Sequence, residues 1–338
     1  MTVQILRGDA RHLPIEDGSV DLIVSSPPYW SLRAYQDNGE TYDGQIGAEA
    51  TPGEFVDALV ECTREWMRVL KPSGSMWINL GDKYNAYNGN RGEGTIQAND
   101  VRQSAPRGNG LDVKDVKPKS LLGIPWRYAI RCIDDLGLIL RAEVIWSKPN
   151  GLPESVTDRV RRSHEQWFHF TLNPRYYSAV DEVREEHVYP QDAGRPRKGY
   201  VGKSNAPAKY GNTGGDAALG KLPGSVWTVA TEPLRVPDHL GIDHFAAFPT
   251  EWPRRIITGW SPEGGTVLDP FSGTGTTALV ASTLGRHGIG VDMSSDYCRL
   301  AKWRTTDPKQ RARAARKPWT PPAEQLPGQE ALDFGGVV

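Results

Sequence analysis

The sequence predicts an α/β fold with a largely parallel sheet, and three observations support this prediction. Short apolar runs, which are typical of buried parallel strands, alternate with segments of helical periodicity. A proline-rich turn at 26–29 follows one such strand near the start of the chain, and a glycine-rich turn at 269–277 follows another near its end. Because α/β sheets bind ligands at the carboxyl ends of parallel strands, these two turns are the candidate sites.

Local patterns predict the individual elements. Seven short apolar runs predict strands at 3–6, 20–24, 75–80, 138–146, 166–172, 266–268 and 288–291. Apolar residues three or four positions apart predict helices at 55–70, 121–136, 250–260, from 276 and at 296–303. The strands at 138–146 and 166–172 are interpreted as an antiparallel hairpin at the edge of the sheet.

One catalytic core with insertions suits a chain of 338 residues. We assign residues 1–305 to this core. Within it, residues 85–118 are rich in Gly, Asn, Arg and Gln and predict a mobile loop, while residues 181–224 are Gly-rich and basic and predict a target-recognition region. Residues 306–338 are first basic and then Pro-rich, which predicts a tail.

Composition excludes several classes of protein. No apolar run is long enough to cross a bilayer, and the chain starts with a strand-like segment instead of a signal peptide. Cys62, Cys132 and Cys298 offer neither a disulfide framework nor the spacing of zinc ligands, so we expect buried thiols and no metal. The expected protein is therefore soluble and cytoplasmic.

Positive charge is concentrated locally, although the formal net charge is only −1. Arg195, Arg197 and Lys198 begin a basic stretch in the predicted target-recognition region, and a second basic run follows Lys302. Such patches suit contacts with DNA or RNA, and a solvated surface is the alternative.

The glycine-rich turn has the sequence DPFSGTGTT, residues 269–277, between a strand and a helix. Gly273 and Gly275 let the backbone approach a ligand closely, and the start of the helix favours negative charge. Asp292 ends the next strand, where an acidic residue binds the hydroxyls of an adenosine ribose. A dinucleotide site is disfavoured, because Val280 and Ala281 occupy the region of its third glycine.

The proline-rich turn suits chemistry on an amino group attached to a base. The lone pair of this nitrogen is delocalised into the ring, so the nitrogen is a poor nucleophile. The Ser26 hydroxyl and the Pro27 carbonyl would accept its two N–H groups and aim the lone pair at a methyl donor. Pro27 and Pro28 stiffen the turn, and Tyr29 offers a flat face to an extruded base. A turn without a catalytic role is the alternative for this motif taken alone.

Together the two turns resemble the amino-methyltransferases of DNA in their permuted β-type order, in which the catalytic motif precedes the cofactor motif. The resemblance extends over about residues 3–305, and its other ordered matches are 8–9, 21–30, 70–74, 146–150, 153, 158–159, 163–165, 225–227 and 244–249. It implies a Rossmann-like S-adenosylmethionine-dependent methyltransferase fold with a mixed seven-stranded sheet and inserted recognition loops.

The resemblance also implies roles for single residues. The catalytic residues are Ser26, Pro27, Pro28 and Tyr29. Contacts to S-adenosylmethionine are expected from Asp269, Phe271, Gly273, Gly275, Thr276 and Asp292, with Asp9, Phe248 and Thr250 completing the pocket. Contacts to DNA are expected from Lys148, Asn150, Arg195, Arg197 and Lys198. The alternatives are a turn cap for Asp9 and a place in the active site for Lys148 and Asn150, while His164 and Glu165 are expected to hold the hairpin together.

A serine at the first position of the catalytic motif favours cytosine N4 in this family, whereas aspartate favours adenine N6. The expected function is therefore sequence-specific methylation of N4 of a flipped cytosine in DNA, with adenine N6 and RNA amino groups as alternatives. Methylation of the cytosine ring carbon is disfavoured, because it needs a cysteine nucleophile and none lies beside Ser26. A small-molecule methyltransferase has no need of long basic insertions, and a non-catalytic module has no need of the catalytic turn.

The expected partner is double-stranded DNA, and a cognate restriction endonuclease and the bacterial sliding clamp are candidate partners. Gln329 to Phe334, QEALDF, resemble the Gln-x-x-Leu-x-Phe peptide by which bacterial replication proteins dock on the clamp. The alternative is an end of the chain whose Leu332 and Phe334 fold back onto the protein. A bacterial or phage-encoded, nucleoid-associated protein is expected.

Overall fold

One mixed sheet with helices on both faces organises the residues that the computed structural model describes, which are 2–31, 36–37, 40–41, 44–85, 116–151, 153–186, 220–242 and 247–319. The strands are β1 (Val3–Arg7), β2 (Val20–Ser25), β3 (Gln36–Asp37), β4 (Glu40–Thr41), β5 (Leu70–Leu80), β6 (Ile139–Ser147), β7 (His164–Thr171), β8 (Val226–Thr228), β9 (Thr266–Asp269) and β10 (His287–Asp292). The helices are α1 (Pro52–Val69), α2 (Ile124–Asp134), α3 (Glu251–Trp260), α4 (Thr276–Thr283), α5 (Ser295–Thr306) and α6 (Pro308–Ala314).

The sheet has eight strands in the order β1-β10-β9-β2-β5-β7-β6-β8. The first five strands in this order, β1, β10, β9, β2 and β5, run parallel to one another. Strand β7 is antiparallel to both β5 and β6, and β8 is parallel to β6. The predicted mixed Rossmann-like sheet with its antiparallel hairpin is confirmed, but the count of seven strands is wrong. Strand β8 is only three residues long, and Val226 in it is 60% exposed. The sequence therefore contains no apolar run that would predict this strand. The hairpin consequently lies one strand inside the edge.

The order of the strands brings the two predicted turns together. Strand β2 pairs with β9 on one side and with β5 on the other, all in parallel. The proline-rich turn after β2 and the glycine-rich turn after β9 therefore start from neighbouring strands at the same edge of the sheet. Strand β10 lies beside β9 and β1 lies beside β10, which adds Asp292 and the turn after β1 to this edge.

Two hydrophobic clusters cover the faces of the sheet. Helices α1 and α2 pack on one face, where Phe55, Trp66 and Tyr128 are fully buried. The other face carries a tryptophan cluster, which consists of Trp77, Trp146, Trp167, Trp227, Trp252 and Trp260. Trp252 stacks on both Trp167 and Trp227, with ring centroids 4.9 Å apart in each case. Both clusters are apolar, so each helix layer is held chiefly by removal of apolar surface from water.

Helix α1 begins earlier than the periodic pattern predicts because its start is capped. Thr51 Oγ1 accepts a hydrogen bond from the Glu54 backbone N–H, and the Glu54 side chain accepts from the Thr51 N–H. Pro52 occupies the first turn, where its missing N–H costs nothing.

Helix α6 lies inside the segment 306–338 that the sequence assigns to a tail. It packs against α4 and α5, and Ala314 in it is buried. Residues 320–338 lie outside the described residues, as do most of the predicted loop at 85–118 and most of the predicted target-recognition region at 181–224. In the described part of that region, Glu185 and Lys221 form an antiparallel bridge.

The three cysteines are buried, as predicted, and none of them forms a disulfide. Burial raises the pKa of Cys62 and of Cys132 to about 12, so both thiols stay protonated near neutral pH. Within the described ranges, no group of three His, Cys, Asp or Glu side chains is placed to hold a metal ion. None of the helices described is both long and apolar enough to cross a membrane.

Candidate active site

The catalytic turn is held by the side chain of Asn79, which lies near the end of β5. Asn79 Oδ1 accepts hydrogen bonds from Ser26 Oγ at 3.1 Å and from the Tyr29 hydroxyl at 2.9 Å. Asn79 Nδ2 donates to the Gln166 carbonyl in β7 at 3.0 Å. An amide donates only through nitrogen, so this last bond determines which way Asn79 faces.

The orientation of Asn79 determines the chemistry of Ser26. A serine hydroxyl has one proton, and here that proton is directed at Asn79 Oδ1. The part of Ser26 Oγ that faces away from Asn79 therefore presents lone pairs. This geometry makes Ser26 a hydrogen-bond acceptor toward any group that approaches the turn.

Tyr29 connects the catalytic turn to the hairpin. Its hydroxyl also lies 2.8 Å from Glu165 Oε2, so its single proton is shared between Asn79 and Glu165. Glu165 Oε1 is in turn ion-paired with Lys148 Nζ. Burial, reinforced by the neighbouring Glu165, raises the pKa of Tyr29, so the phenol remains neutral. The Tyr29 ring lies over Gly81, where a Cβ atom would approach Tyr29 Cε2 to 2.4 Å. Only a glycine at position 81 leaves room for this ring.

A buried carboxylate links the catalytic turn to the glycine-rich turn. Asp269 Oδ1 accepts from Ser25 Oγ at 2.7 Å and from the Phe271 N–H at 3.1 Å, and Oδ2 accepts from Thr277 Oγ1 at 2.9 Å. Asp269 has no exposed surface, and burial raises its pKa to about 6. The carboxylate thus braces both turns from behind the glycine-rich turn, and the contact of Asp269 with the cofactor stays a prediction.

The two glycines of the cofactor turn have different surroundings. Both have positive φ, +48° at Gly273 and +73° at Gly275, which favours glycine. A Cβ atom at Gly275 would lie 2.9 Å from Ala301 Cβ, so packing against α5 excludes a side chain there. A Cβ atom at Gly273 would meet nothing within 4 Å. The Gly273 backbone therefore borders open space, as the approach of S-adenosylmethionine requires.

Asp292 lies at the same edge, at the end of β10. Its Oδ2 accepts from the Gly273 N–H at 2.8 Å and its Oδ1 from the Ser294 N–H at 3.0 Å. The carboxylate therefore lies against the Gly273 backbone at the end of a parallel strand, where an acidic residue can bind ribose hydroxyls. Asp9 follows β1 beside it, and the Asp9 carboxylate is bound by the Arg11 side chain and backbone N–H. This pairing agrees with the alternative of a capped turn for Asp9.

We expect Asp292→Ala to weaken binding of S-adenosylmethionine by about ten- to a hundredfold, since two hydroxyls would lose a charged acceptor. Isothermal titration calorimetry with the isolated protein measures this change directly. Asp296→Ala is the matched control, because Asp296 lies in the first turn of α5 and forms an ion pair with Arg299. An unchanged dissociation constant in Asp292→Ala would exclude the ribose role.

The remaining predicted cofactor residues, Thr276, Thr250, Phe248 and Phe271, contact different parts of the protein. Thr276 Oγ1 accepts from Arg304 Nη1 at 2.7 Å, and Arg304 also donates to Thr274. The Thr250 hydroxyl and N–H both donate to Glu232 at 2.9 Å. Phe248 packs edge-on against Trp167, with centroids 5.8 Å apart. Phe271 makes a similar edge contact with Trp66 on the opposite face of the sheet.

The predicted DNA contacts are only partly described. Lys148 Nζ lies 4.1 Å from the centre of the Trp146 ring and pairs with Glu165, so it borders the catalytic turn. Asn150 is exposed and exchanges hydrogen bonds with the backbone of Thr231. The three cations at 195, 197 and 198 lie outside the described residues.

Three residues of the site have no role in the sequence analysis: Asn79, Gly81 and Arg304. Asn79 is the penultimate residue of β5 and Gly81 follows the strand. The polar side chain of Asn79 after an apolar run is the signal that the sequence offers. Glu165 is predicted to hold the hairpin together, and the structure shows that it also accepts a hydrogen bond from Tyr29.

Comparisons with known proteins agree with this geometry. A family model described as DNA methylase, of the N6/N4 methyltransferase type, matches residues 20–303. The Type II methyltransferase M.Cfr9I of Citrobacter freundii is 37% identical over 307 residues, which cover 88% of this chain and 85% of that protein. The solved structure of the PvuII DNA methyltransferase, described as cytosine-N4-specific, is similar in fold, with a TM-score of 0.62, 18% identity and 94% of each chain covered.

The structure of a DNA modification methylase from Thermus thermophilus, complexed with S-adenosyl-L-methionine, is also similar, with a TM-score of 0.53, 24% identity and coverage of 93% of this chain and 95% of that one. S-adenosylmethionine is the cofactor, and the open space at Gly273 and the acidic end of β10 fit it. The chain therefore belongs to the N6/N4 DNA methylase family.

Proposed function

We propose that this enzyme transfers the methyl group of S-adenosylmethionine to the exocyclic N4 of a cytosine flipped out of duplex DNA at a specific sequence. The observation that supports this most directly is the hydrogen bond from Ser26 Oγ to Asn79 Oδ1. It leaves the lone pairs of Ser26 free to accept an N–H group from the base. The relative described as cytosine-N4-specific supports the choice of base.

Each residue of the catalytic turn has a different role in the proposed reaction. When bound, the cofactor supplies an electrophilic methyl group. Ser26 Oγ and the Pro27 carbonyl accept the two N–H groups of the base amine, which draws the nitrogen lone pair out of conjugation. Asn79 orients Ser26 and does not take up a proton, because an amide is not basic near neutral pH. The proton that the base amine loses as its bond to the methyl group forms therefore passes to solvent. The neutral ring of Tyr29 stacks on the extruded base.

Tyr29 and its partners stiffen the base-binding side of the turn. The ring is confined by Gly81 and its hydroxyl is shared between Asn79 and Glu165. Such preorganisation matters, because a reacting group displaced by about 1 Å loses about a hundredfold in rate.

The choice of base is tested by methylating unmodified plasmid DNA with tritiated cofactor and analysing the nucleosides by mass spectrometry. We expect N4-methyldeoxycytidine as the labelled product, at one sequence. N6-methyldeoxyadenosine would overturn the choice of cytosine, and preferential labelling of RNA in a competition between duplex DNA, single-stranded DNA and RNA would overturn the choice of substrate.

The basic stretch of the predicted target-recognition region is proposed to bind the phosphates of the DNA backbone. Changing Arg195, Arg197 and Lys198 together to glutamine should weaken DNA binding and reduce the slope of log K against log salt by about 3. Fluorescence anisotropy at several salt concentrations measures both. Changing Arg64, Arg127 and Arg131 on α1 and α2 together to glutamine is a control of equal charge outside both basic stretches. A triple variant with the affinity and slope of the unchanged protein would remove this segment from the interface.

The names of the relatives also suggest partners. Since M.Cfr9I is a Type II methyltransferase, we propose that a restriction endonuclease of the same specificity accompanies this enzyme. Plasmid DNA that the enzyme has methylated should then resist that nuclease in a lysate of the host.

The peptide from Gln329 to Phe334 lies outside the described residues and is proposed to dock on the sliding clamp. A synthetic peptide of residues 327–338 should bind the clamp of the host weakly, and Leu332→Ala with Phe334→Ala should remove this binding while methylation of short oligonucleotides is unchanged. No binding at high peptide concentration would disprove the docking.

A further inference from the structure

Val160 is an apolar side chain that points into solvent. It is 86% exposed, the largest exposed fraction of any large apolar residue in the part of the chain that the structure describes. Single exposed apolar residues are common on protein surfaces, so exposure alone does not imply a function. Two further features of Val160 do: its position relative to the catalytic turn and the contacts that hold its loop.

Val160 lies in the loop that joins β6 to β7, and this loop emerges beside the catalytic turn. Strand β6 is parallel to β5, because β7 is antiparallel to both strands. The carboxyl end of β6 therefore lies at the same edge of the sheet as that of β2. The base of the loop reaches the turn itself, since Lys148 pairs with Glu165 and Glu165 hydrogen-bonds with Tyr29.

Contacts on both sides of Val160 anchor the loop. The guanidinium carbon of Arg159 lies 3.8 Å from the centre of the Tyr84 ring. On the other side, Arg161 Nη1 donates to the Gly151 carbonyl at 3.0 Å. The two neighbours of Val160 are thus anchored to the protein, which leaves Val160 as the part of the loop that projects outward.

The loop that carries Val160 is basic. Its charged residues are four cations and two carboxylates, namely Lys148, Arg159, Arg161, Arg162, Glu154 and Asp158. Cations directly precede and follow the valine. An apolar side chain between two arginines suits contact with duplex DNA, because the phosphates attract the cations and the interior of the base stack is apolar.

A base that is flipped out of a duplex leaves an empty place in the stack. Its extrusion costs both pairing and stacking free energy. Proteins that open the stack often insert an apolar side chain between neighbouring bases, which restores part of the lost contact. A rigidly held apolar side chain beside the catalytic turn meets this requirement.

We propose that Val160 enters the duplex beside the catalytic turn and fills the space that the target base leaves when it is flipped out. The inference rests on the proposed function, since it requires duplex DNA and an extruded base. It does not depend on whether that base is cytosine or adenine.

The test compares two duplexes that contain the sequence identified by plasmid methylation. In the first the target base is paired, and in the second an abasic site lies opposite the target, so that extrusion costs less. Val160→Ala should lower the single-turnover rate of methylation by about tenfold on the first duplex and by less than about twofold on the second. Val160→Leu keeps an apolar side chain and should retain the rate on both. Val226→Ala makes the same truncation on β8, where the side chain is also exposed, and should change neither rate.

A role of Val160 in loop structure or in general DNA affinity gives a different result. Val160→Ala would then slow methylation of both duplexes equally, and this outcome would overturn the proposal, as would an unchanged rate on the paired duplex. Calorimetry with S-adenosylhomocysteine should show that Val160→Ala binds this ligand as the unchanged protein does, because the side chain is remote from the glycine-rich turn in the strand order. Failure of the unchanged protein to methylate either duplex would instead contradict the proposed function.

Discussion

Ser26→Ala is expected to lower the rate of methyl transfer by at least about a hundredfold, the usual cost of removing one preorganised group that stabilises charge in a transition state. The loss follows from the position of Ser26, whose proton is directed at Asn79, so that its lone pairs are left for the proposed contact with the N–H group of the base. Binding of S-adenosylmethionine should not change, because the cofactor turn starts from a different strand. Single-turnover methylation of an oligonucleotide measures the first effect and calorimetry the second.

Two further variants sharpen this result. Ser19→Ala removes a serine hydroxyl at the other end of β2, where it bonds only to the Glu16 carbonyl, and should leave both quantities unchanged. Asn79→Leu should reproduce much of the rate loss, since the Ser26 proton would no longer be directed away from the base. A Ser26→Ala protein that has lost cofactor affinity would refute the division between a base-binding turn and a cofactor-binding turn.

Asp269→Ala should lower the free energy of unfolding by about 3 kcal/mol, a larger loss than we expect from the other variants considered. It leaves three buried donors, on Ser25, Phe271 and Thr277, without an acceptor, and each unsatisfied group costs about 1–3 kcal/mol. Urea unfolding followed by tryptophan fluorescence measures the loss. Asp57→Ala breaks an exposed ion pair with Arg131 and should cost less than about 1 kcal/mol. Equal losses in the two variants would contradict the bracing role.

The same carboxylate has a pH signature. Because burial raises the pKa of Asp269 from 3.8 to about 6, the folded state favours the protonated acid. Its contribution to stability is fully present below about pH 4 and is lost as the pH rises through 6, a change of about 3 kcal/mol. Asp269→Asn does not titrate, so the free energy of unfolding of the unchanged protein should fall relative to this variant between pH 4 and 7. A constant difference would show that Asp269 is ionised throughout this range.

Elements governed by one repeated pattern are predictable from the sequence. Strand β2 and helix α1 have such patterns, and the turn residues after β2 and β9 are specific enough to locate both halves of the site. Strand β8 was missed because its pairing depends on β6, which comes about 80 residues earlier, and not on its own composition. Helix α6 was missed because its basic residues resemble a solvated segment, and its packing on α4 and α5 is a tertiary contact.

A sequence motif does not predict the direction in which a side chain of the site points. The position of Asp269 in the cofactor motif suggests a ligand contact, whereas its carboxylate turns inward to Ser25 and Thr277. Asn79 follows an apolar run and looks like a residue that merely ends a strand. Its role depends on β2 and β7 lying on either side of β5, which only the three-dimensional arrangement reveals.

The pairing of β1 with β10 has a consequence for the synthesis of the enzyme. Strand β1 leaves the ribosome early, but its partner β10 is the last strand within the part of the chain that the structure describes. The bond from Ser25 to Asp269 likewise joins residues 244 positions apart. A nascent chain therefore has its base-binding turn long before it has a cofactor turn, and contacts so distant in sequence form late. Truncated translation products that end before β9 consequently lack the means to bind the methyl donor, and DNA is modified only by chains whose synthesis has passed the glycine-rich turn.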